Sequence, residues 1–331
     1  MITDTMKAVV IREPGTPEAL VIEELPIPQP LPGNILIQVK AFGLNRSELY
    51  TRQGLSPDVK FPRVLGIEAV GIVVRAPGSE FECGQTVATA MGGMGRQFDG
   101  GYAEYTCVPA NQVQAINTSL DWQTFGALPE MIQTAWGSLN NALQLKSGQR
   151  LLIRGGSTSV GMAAAMLAKQ RGAIVISTTR NLDRENLLKN RGADHVFIDN
   201  GKIAGKVRQV FPDGVDKVLE LVGTTTLLDS LQCAAPSGSV CMTGMVGNAW
   251  ELERFSPLDV IPSTVNLTAY SGGARDFIDT PLQTVVKEIE DKRMTPGIGR
   301  VFQLDDIVEA HRCMEDNTAG GKIVVLTGRE E

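Results

Sequence analysis

The sequence predicts an α/β protein in which a doubly wound parallel domain interrupts a β-rich one, and three observations carry that reading. Residues 6 to about 127 hold short alternating runs, "AVVI", "NILIQVKAFG", "VGIVVRA", "TVATAM" and "AEYTCV", separated by Pro and Gly clusters such as "PIPQPLPGN". That texture predicts an antiparallel sheet with long loops. From about residue 128 strand-like and helix-like segments alternate, which implies parallel strands joined by right-handed crossover helices. Within this stretch "LLIRGGSTSVGMAAAMLAK" passes from an apolar run through a glycine turn into small helix formers, as a nucleotide-binding strand, loop and helix do.

The alternating region runs through "RLLIRG" and a helix from Val160, "AIVIST" and a helix from Leu182, then "KVLEL" and a helix from Thr225. "GSVCMTG" follows, and then "VNLTAY", a strand beginning at Val265 and ending at Tyr270. Beyond it "LQTVVKEIEDKRM" and "DIVEAHRCMED" have helical apolar spacing, and "GKIVVL" predicts a closing strand. The expected domains are therefore 1–127 and 271–331 for the β-rich part and 128–270 for the doubly wound part. The opening "MITDT" precedes a second methionine, Met6, where strand patterning starts, so residues 1–5 are read as an alternative-start extension outside the fold.

A chain with 43% apolar and 21% charged residues is an ordinary globular one, which excludes disorder. The net charge of -6 is scattered, so no basic face for nucleic acid is expected. Five cysteines, Cys83, Cys107, Cys233, Cys241 and Cys313, form no C-x-x-C pair; they fit buried thiols in a reducing compartment and predict a cytoplasmic protein. No run approaches the ~18 apolar residues of a membrane span, and no signal-peptide pattern opens the chain.

In the G-x-G-x-x-G fingerprint the glycines serve the tight turn, the approach of backbone to pyrophosphate, and helix packing. Here the register reads Gly156, Thr158, Gly161. The predicted phosphate site is Gly156, Ser157, Thr158, Ser159, Val160 and Gly161, because the N–H groups and dipole at a helix N-terminus attract an anion. The Thr158 hydroxyl is expected to donate to phosphate. The competing reading is a glycine turn that only packs a strand on a helix. After the second strand comes "ISTTRNLDREN". An acid about 20 residues past the glycines holds a ribose 2′-hydroxyl, whereas an arginine accommodates a 2′-phosphate. Thr179, Arg180 and Arg184 thus predict NADPH over NADH. The alternative makes both arginines surface charges and gives the ribose to Asp183.

With "AFGLNRSELYTRQG", "PRVLGIEAVGIV", "GGYAEYTCVP", "LPEMIQTAWGSL", "GGSTSVGMAAAMLAK" and "FQLDDIVEAHRCMEDNTAGGKIVVL" in this order, the chain resembles the medium-chain dehydrogenase/reductase superfamily. Within it the resemblance is to the zinc-free quinone oxidoreductase (zeta-crystallin-like) branch, over residues 6–327. It implies a GroES-like catalytic domain built from the two chain ends, a Rossmann domain between them, and a nicotinamide bound in the cleft. Where zinc alcohol dehydrogenases of this superfamily carry metal ligands, the chain has Asn45, Ile67 and Glu130, and its two histidines are His195 and His311. No His/Cys zinc site is expected.

Without a Lewis acid an unactivated ketone is a poor acceptor, while a quinone or α,β-unsaturated carbonyl spreads the arriving charge through its own π system. The resemblance places Asn45 and Tyr50 beside the nicotinamide: Asn45 to hydrogen-bond cofactor or acceptor, Tyr50 to donate to the developing oxyanion. Their structural alternatives are a turn residue and a packing ring. Thr134, Gly223, Gly244, Met245, Val246, Ser271 and Gly272 match family positions near the cofactor, and Lys322 either reaches it or flanks a strand. Asp199 in "FIDN" stands where quinone reductases often have a tyrosine near the adenosine phosphate, and an acid there argues against a 2′-phosphate. His311 is read as a packing or hydrogen-bonding residue. The rivals are an enoyl-thioester reductase, whose catalytic tyrosine would fall at Leu55, and a non-enzymatic NADPH-binding or structural protein. An exposed "VNLTAY" edge predicts a homodimer paired through that strand.

Overall fold

The computed structural model describes residues 5–328. They divide into two compact units, Met1–Gln133 with Gly272–Glu331, and Thr134–Ser271. The sequence texture puts the transitions at 128 and 271, whereas the units part at 134 and 272; the first crossing falls inside a helix, Pro129–Gly137, that strand texture does not reveal. Of the expected extension, residues 1–4 lie outside the described residues. Thr5 belongs to the first strand, where it pairs with Pro26.

The first unit begins with strands β1 (Thr5–Ile11), β2 (Leu20–Pro26), β3 (Asn34–Gly43), β4 (Arg63–Val64), β5 (Glu68–Arg75), β6 (Thr86–Ala90), β7 (Tyr105–Pro109) and β8 (Val113–Ala115). They do not make one sheet: β2, β1 and β4 form a separate antiparallel layer. The central strand is β3, flanked by β5 and β7, and its Ile35, Leu36, Ile37, Val39 and Phe42 are all buried. The helix Arg46–Arg52 follows directly and carries Tyr50.

The second unit contains β9 (Arg150–Arg154), β10 (Ile174–Thr179), β11 (His195–Ile198), β12 (Val215–Glu220), β13 (Ala234–Met242) and β14 (Asn266–Ala269). All pair in parallel, in the order β11-β10-β9-β12-β13-β14. Counted within the unit this is 3-2-1-4-5-6, the order of a dinucleotide-binding Rossmann sheet. The register places Ile176, Leu152, Val218 and Val240 in one row across four strands, and all four are fully buried. This row packs against Val207 of the helix Ala204–Val210 and Leu227 and Leu231 of the helix Thr224–Cys233. Among the described residues the strand β14 is an edge, paired only to β13.

The chain then returns to the first unit through β15 (Ile298–Gln303) and β16 (Lys322–Leu326). The closing strand pairs antiparallel with β3 and parallel with β15, so the C-terminal segment completes a seven-stranded sheet begun near the N-terminus. No helix among the described residues is long and apolar enough to cross a membrane.

Candidate active site

In the second unit, Gly155 follows the last residue of β9 and turns the chain at φ +83°, a conformation that a Cβ would strain. A Cβ on Gly161 would lie 2.6 Å from the Gly155 carbonyl oxygen, so that glycine is required where the helix Ser159–Gln170 packs against the loop. Thr158 is the N-cap of this helix. Its Oγ1 accepts from the Gly161 N–H (3.0 Å) and donates to the Gly155 carbonyl (2.8 Å). The hydroxyl expected to donate to phosphate is thus committed within the loop, because an N-cap side chain satisfies a helix amide that has no carbonyl partner. The first-turn N–H groups of Ser159 and Val160 have no intrahelical acceptor, and Ser157, Ser159 and Val160 are all half-buried. Beneath the loop, Ser177 Oγ is buried without a hydrogen-bond partner among the described residues, 3.0 Å from where a Gly156 Cβ would stand. An anion-seeking helix end and a glycine cradle suit a dinucleotide pyrophosphate.

At the end of β10, Ser177, Thr178 and Thr179 are buried and Arg180 is exposed. Arg184 closes a 3-10 turn, Leu182–Arg184, capped by Asn181, whose Oδ1 accepts from Asp183 N–H at 2.9 Å. Among the described residues, neither Arg180 nor Arg184 forms an ion pair.

Other site candidates follow the carboxyl ends of β12, β13 and β14. Gly223 turns at φ +106°, and a Cβ there would come within 3.1 Å of Met245 Sδ and 3.2 Å of the Gly244 carbonyl. Gly244 N–H donates to Glu220 O (3.1 Å) and Val246 N–H to Leu221 O (3.2 Å). Thr134 lies in the helix Pro129–Gly137, where its carbonyl accepts from Ser138 Oγ (2.7 Å); Ser138 Oγ also lies 3.0 Å from Thr243 Oγ1. Ser271 and Gly272 follow β14 at the point where the chain leaves this unit.

Sequence reasoning missed Arg154, the last residue of β9. It is fully buried, and its Nε and Nη2 donate to the two carboxylate oxygens of Asp199 at 2.8 and 2.9 Å. Nη1 donates to Asp229 Oδ2 (2.6 Å), Ser230 Oγ (3.2 Å) and the Thr226 carbonyl (3.3 Å). Burial acts to raise the Asp199 carboxyl, but the bonds and charge of Arg154 outweigh it and hold the group below its ordinary value. The available signal was an arginine closing the apolar run "RLLIRG".

The first unit holds a second buried network. Lys322 Nζ lies 2.7 Å from Glu68 Oε1 and 3.7 Å from Glu130 Oε2, and it donates to Asn45 Oδ1. Asn45 Nδ2 donates to Glu68 Oε1 (2.9 Å), and Glu68 Oε2 accepts from Glu130 N–H (2.8 Å). Glu48 accepts from the backbone of Ile67 and of Asn45, both at 3.0 Å. Both atoms of the Asn45 amide already bond within the unit, and the Lys322 ammonium, on the closing strand β16, is buried against carboxylates of its own unit. A buried ammonium must be paired where it stands. Tyr50 is buried one turn into the helix that Asn45 caps; burial raises its phenol above the usual range, against the charge and hydrogen bond of Arg46. His311 is fully buried, with Nε2 3.1 Å from Tyr102 Oη, and burial followed by the Arg52 charge lowers it to about 3. It is a packed neutral ring.

Comparison with known proteins accords with this geometry. Residues 31–118 match the alcohol dehydrogenase GroES-like domain and residues 191–325 a zinc-binding dehydrogenase domain. The chain is 27% identical to the quinone oxidoreductase of Pongo abelii over 97% of its own length and 98% of that protein. An NAD-dependent alcohol dehydrogenase structure superposes with a TM-score of 0.87 at 25% identity, covering 98% of this chain and all of the other. A mycobacterial protein solved with NADPH superposes with a TM-score of 0.86 at 26% identity, covering 97% and 100%. The chain belongs to the medium-chain dehydrogenase/reductase superfamily.

As a medium-chain dehydrogenase/reductase it is an oxidoreductase with a pyridine-nucleotide-binding fold. The zinc in the name of the matched domain does not fit the residues present. Asn45, Ile67 and Glu130 occupy the expected ligand places and supply neither thiolate nor imidazole. Two of the three already contact an ammonium, that of Lys322. No group of three His, Cys, Asp or Glu side chains among the described residues is arranged to hold a metal.

Proposed function

We propose that this oxidoreductase is a zinc-independent, NADPH-dependent reductase that delivers hydride to a quinone or an α,β-unsaturated carbonyl compound. The observation that carries this reading is the Lys322 ammonium, buried against Asn45 and Glu130 where metal-binding relatives gather their ligands. With an ammonium rather than a metal in that place, no Lewis acid polarises an unactivated ketone, so the reading favours acceptors that stabilise their own developing charge. The guanidiniums of Arg180 and Arg184, just after β10 and without an ion pair among the described residues, support NADPH, since an arginine there suits a 2′-phosphate. Bound NADPH supplies the hydride; the chain's residues bind it, exclude water and align the acceptor. Tyr50, kept as a neutral phenol, is the candidate hydrogen-bond donor to the acceptor oxygen. The same reading takes β14 as the pairing edge of a homodimer and the cytoplasm as the compartment.

The test is consumption of NADPH and, separately, NADH by metal-stripped protein with 1,4-benzoquinone, 9,10-phenanthrenequinone, an enone and a 2-enoyl-CoA. Quinone or enone turnover with NADPH is the expected result, and substituting Arg180→Ala with Arg184→Ala should weaken NADPH binding at least tenfold while leaving NADH nearly unchanged. Turnover only of the thioester, or only after zinc is added, would overturn the proposal. Tight NADPH binding with no turnover of any acceptor would point to the non-enzymatic alternative.

A further inference from the structure

Asp199 stands next to the end of β10, where the ribose site is predicted. Its N–H donates to the Thr179 carbonyl (2.8 Å), and its Oδ2 lies 3.4 Å from Thr178 Oγ1, so the carboxylate stands beside the residues that end β10. The same Thr178 Oγ1 accepts from Gly155 N–H at 3.0 Å, which ties this corner to the phosphate loop. A bare carboxylate here would repel a 2′-phosphate. It is not bare. Arg154 grips it with two parallel N–H···O bonds and is itself fully buried, with every guanidinium nitrogen committed inside the unit.

We propose that Arg154 determines cofactor choice by neutralising Asp199, which keeps the ribose site open to a 2′-phosphate. Arg154 does not touch the ligand; it is a positioning residue that acts through Asp199. A lysine would not serve, because the planar fork supplies the bidentate pair and also the bond to Asp229. The remaining partners are satisfied independently: Asp229 also accepts from Ile203 N–H (2.8 Å) and Ala204 N–H (3.3 Å), and Asp199 from Gly201 N–H (2.8 Å). The inference rests on the NADPH reading above, and the experiment separates the two.

The measurement is calorimetric binding of 2′,5′-ADP and of 5′-AMP to the full chain, which reports the adenosine corner without turnover. Wild type should prefer 2′,5′-ADP; no preference would sink the NADPH reading itself, independently of Arg154. Arg154→Met should cut that preference about tenfold, the scale of one uncompensated charge at an effective dielectric near 20. The double variant with Asp199→Asn should restore it, because position 199 then carries no charge, while Asp229 keeps the Ile203 and Ala204 N–H donors. Should Arg154→Met fail to fold, Asp199→Asn alone decides: it leaves Arg154 paired to Asp229 and should raise the preference for 2′,5′-ADP severalfold. An unchanged ratio in folded Arg154→Met, or in Asp199→Asn, would make the pair purely structural and overturn the proposal.

Discussion

Each unit of this protein buries a cation among several carboxylates, and the two clusters are built differently. In the second unit the cation is an arginine whose fork matches Asp199 bidentately and still reaches Asp229 and Ser230. In the first it is Lys322, a point charge shared among Glu68, Glu130 and Asn45, with Glu48 close by. Arginine distributes directional bonds and fixes where each partner points, whereas lysine offsets charge with less geometric demand. The arginine cluster adjoins the phosphate loop through Thr178. The lysine cluster pins the N-terminus of the helix that carries Tyr50. Perturbing the first should therefore change which ligand binds, and perturbing the second should change how stable the protein is.

The largest effect expected from this contrast is on Lys322. Replacing it with methionine leaves Glu68, which is fully buried, facing Glu130 without a cation. Breaking one side of a buried pair costs about 3–5 kcal/mol. Urea unfolding of Lys322→Met should show a loss of that order, with much of it recovered in Lys322→Met/Glu68→Gln. Equal stability of wild type and Lys322→Met would mean that the ammonium is not what holds the cluster together.

A second effect is read by pH. Burial, with the Glu68 charge adding, raises Glu48 to about 7 from an ordinary 4.5, despite hydrogen bonds from the backbone that lower it. A raised folded value means that its contribution is present below pH 4.5 and lost as pH rises to about 7. His311 works in the opposite sense. Its ordinary 6.5 falls to about 3, so its contribution is present above pH 6.5 and lost as pH falls toward 3. Relative to Glu48→Gln, wild type should weaken with rising pH and then level off. Relative to His311→Phe, it should weaken with falling pH. Each slope approaches about 1.4 kcal/mol per pH unit, measured as urea midpoints between pH 4 and 8. Curves that run parallel for variant and wild type would show that the group titrates alike in both states.

The same contrast explains what could be read from the sequence. The Rossmann strands and the glycine loop were legible because parallel strands buried on both faces read as apolar runs, and because "GGSTSVG" places its glycines where packing requires them. The strand β15 was not, since "IGRVFQ" mixes glycine and arginine into a half-exposed pattern. Site residues follow from motif register and from resemblance, neither of which says what a polar atom already holds. Thr158, Asn45 and Lys322 carry suitable groups, and each also serves a cap, an amide clasp or an ion pair. Arg154 was overlooked for the converse reason: its partners Asp199 and Asp229 lie 45 and 75 residues away and meet it only in the folded sheet.

The smallest effect is expected where the Rossmann unit uses no charge at all. Thr158→Ala removes the hydroxyl that accepts from Gly161 N–H and donates to the Gly155 carbonyl, so the helix Ser159–Gln170 should lose about 1 kcal/mol of capping stability. Because the hydroxyl is already spent inside the loop, NADPH affinity should change by less than about threefold, well under the loss of a charge-assisted contact. Thermal unfolding and a binding titration on the same sample separate the two roles. A stable variant that loses cofactor affinity would return Thr158 to the phosphate and show that the cap rearranges when the ligand arrives. A destabilised variant with unchanged affinity would leave the helix amides as the neutral half of the site, with selection between cofactors left to the charges around β10.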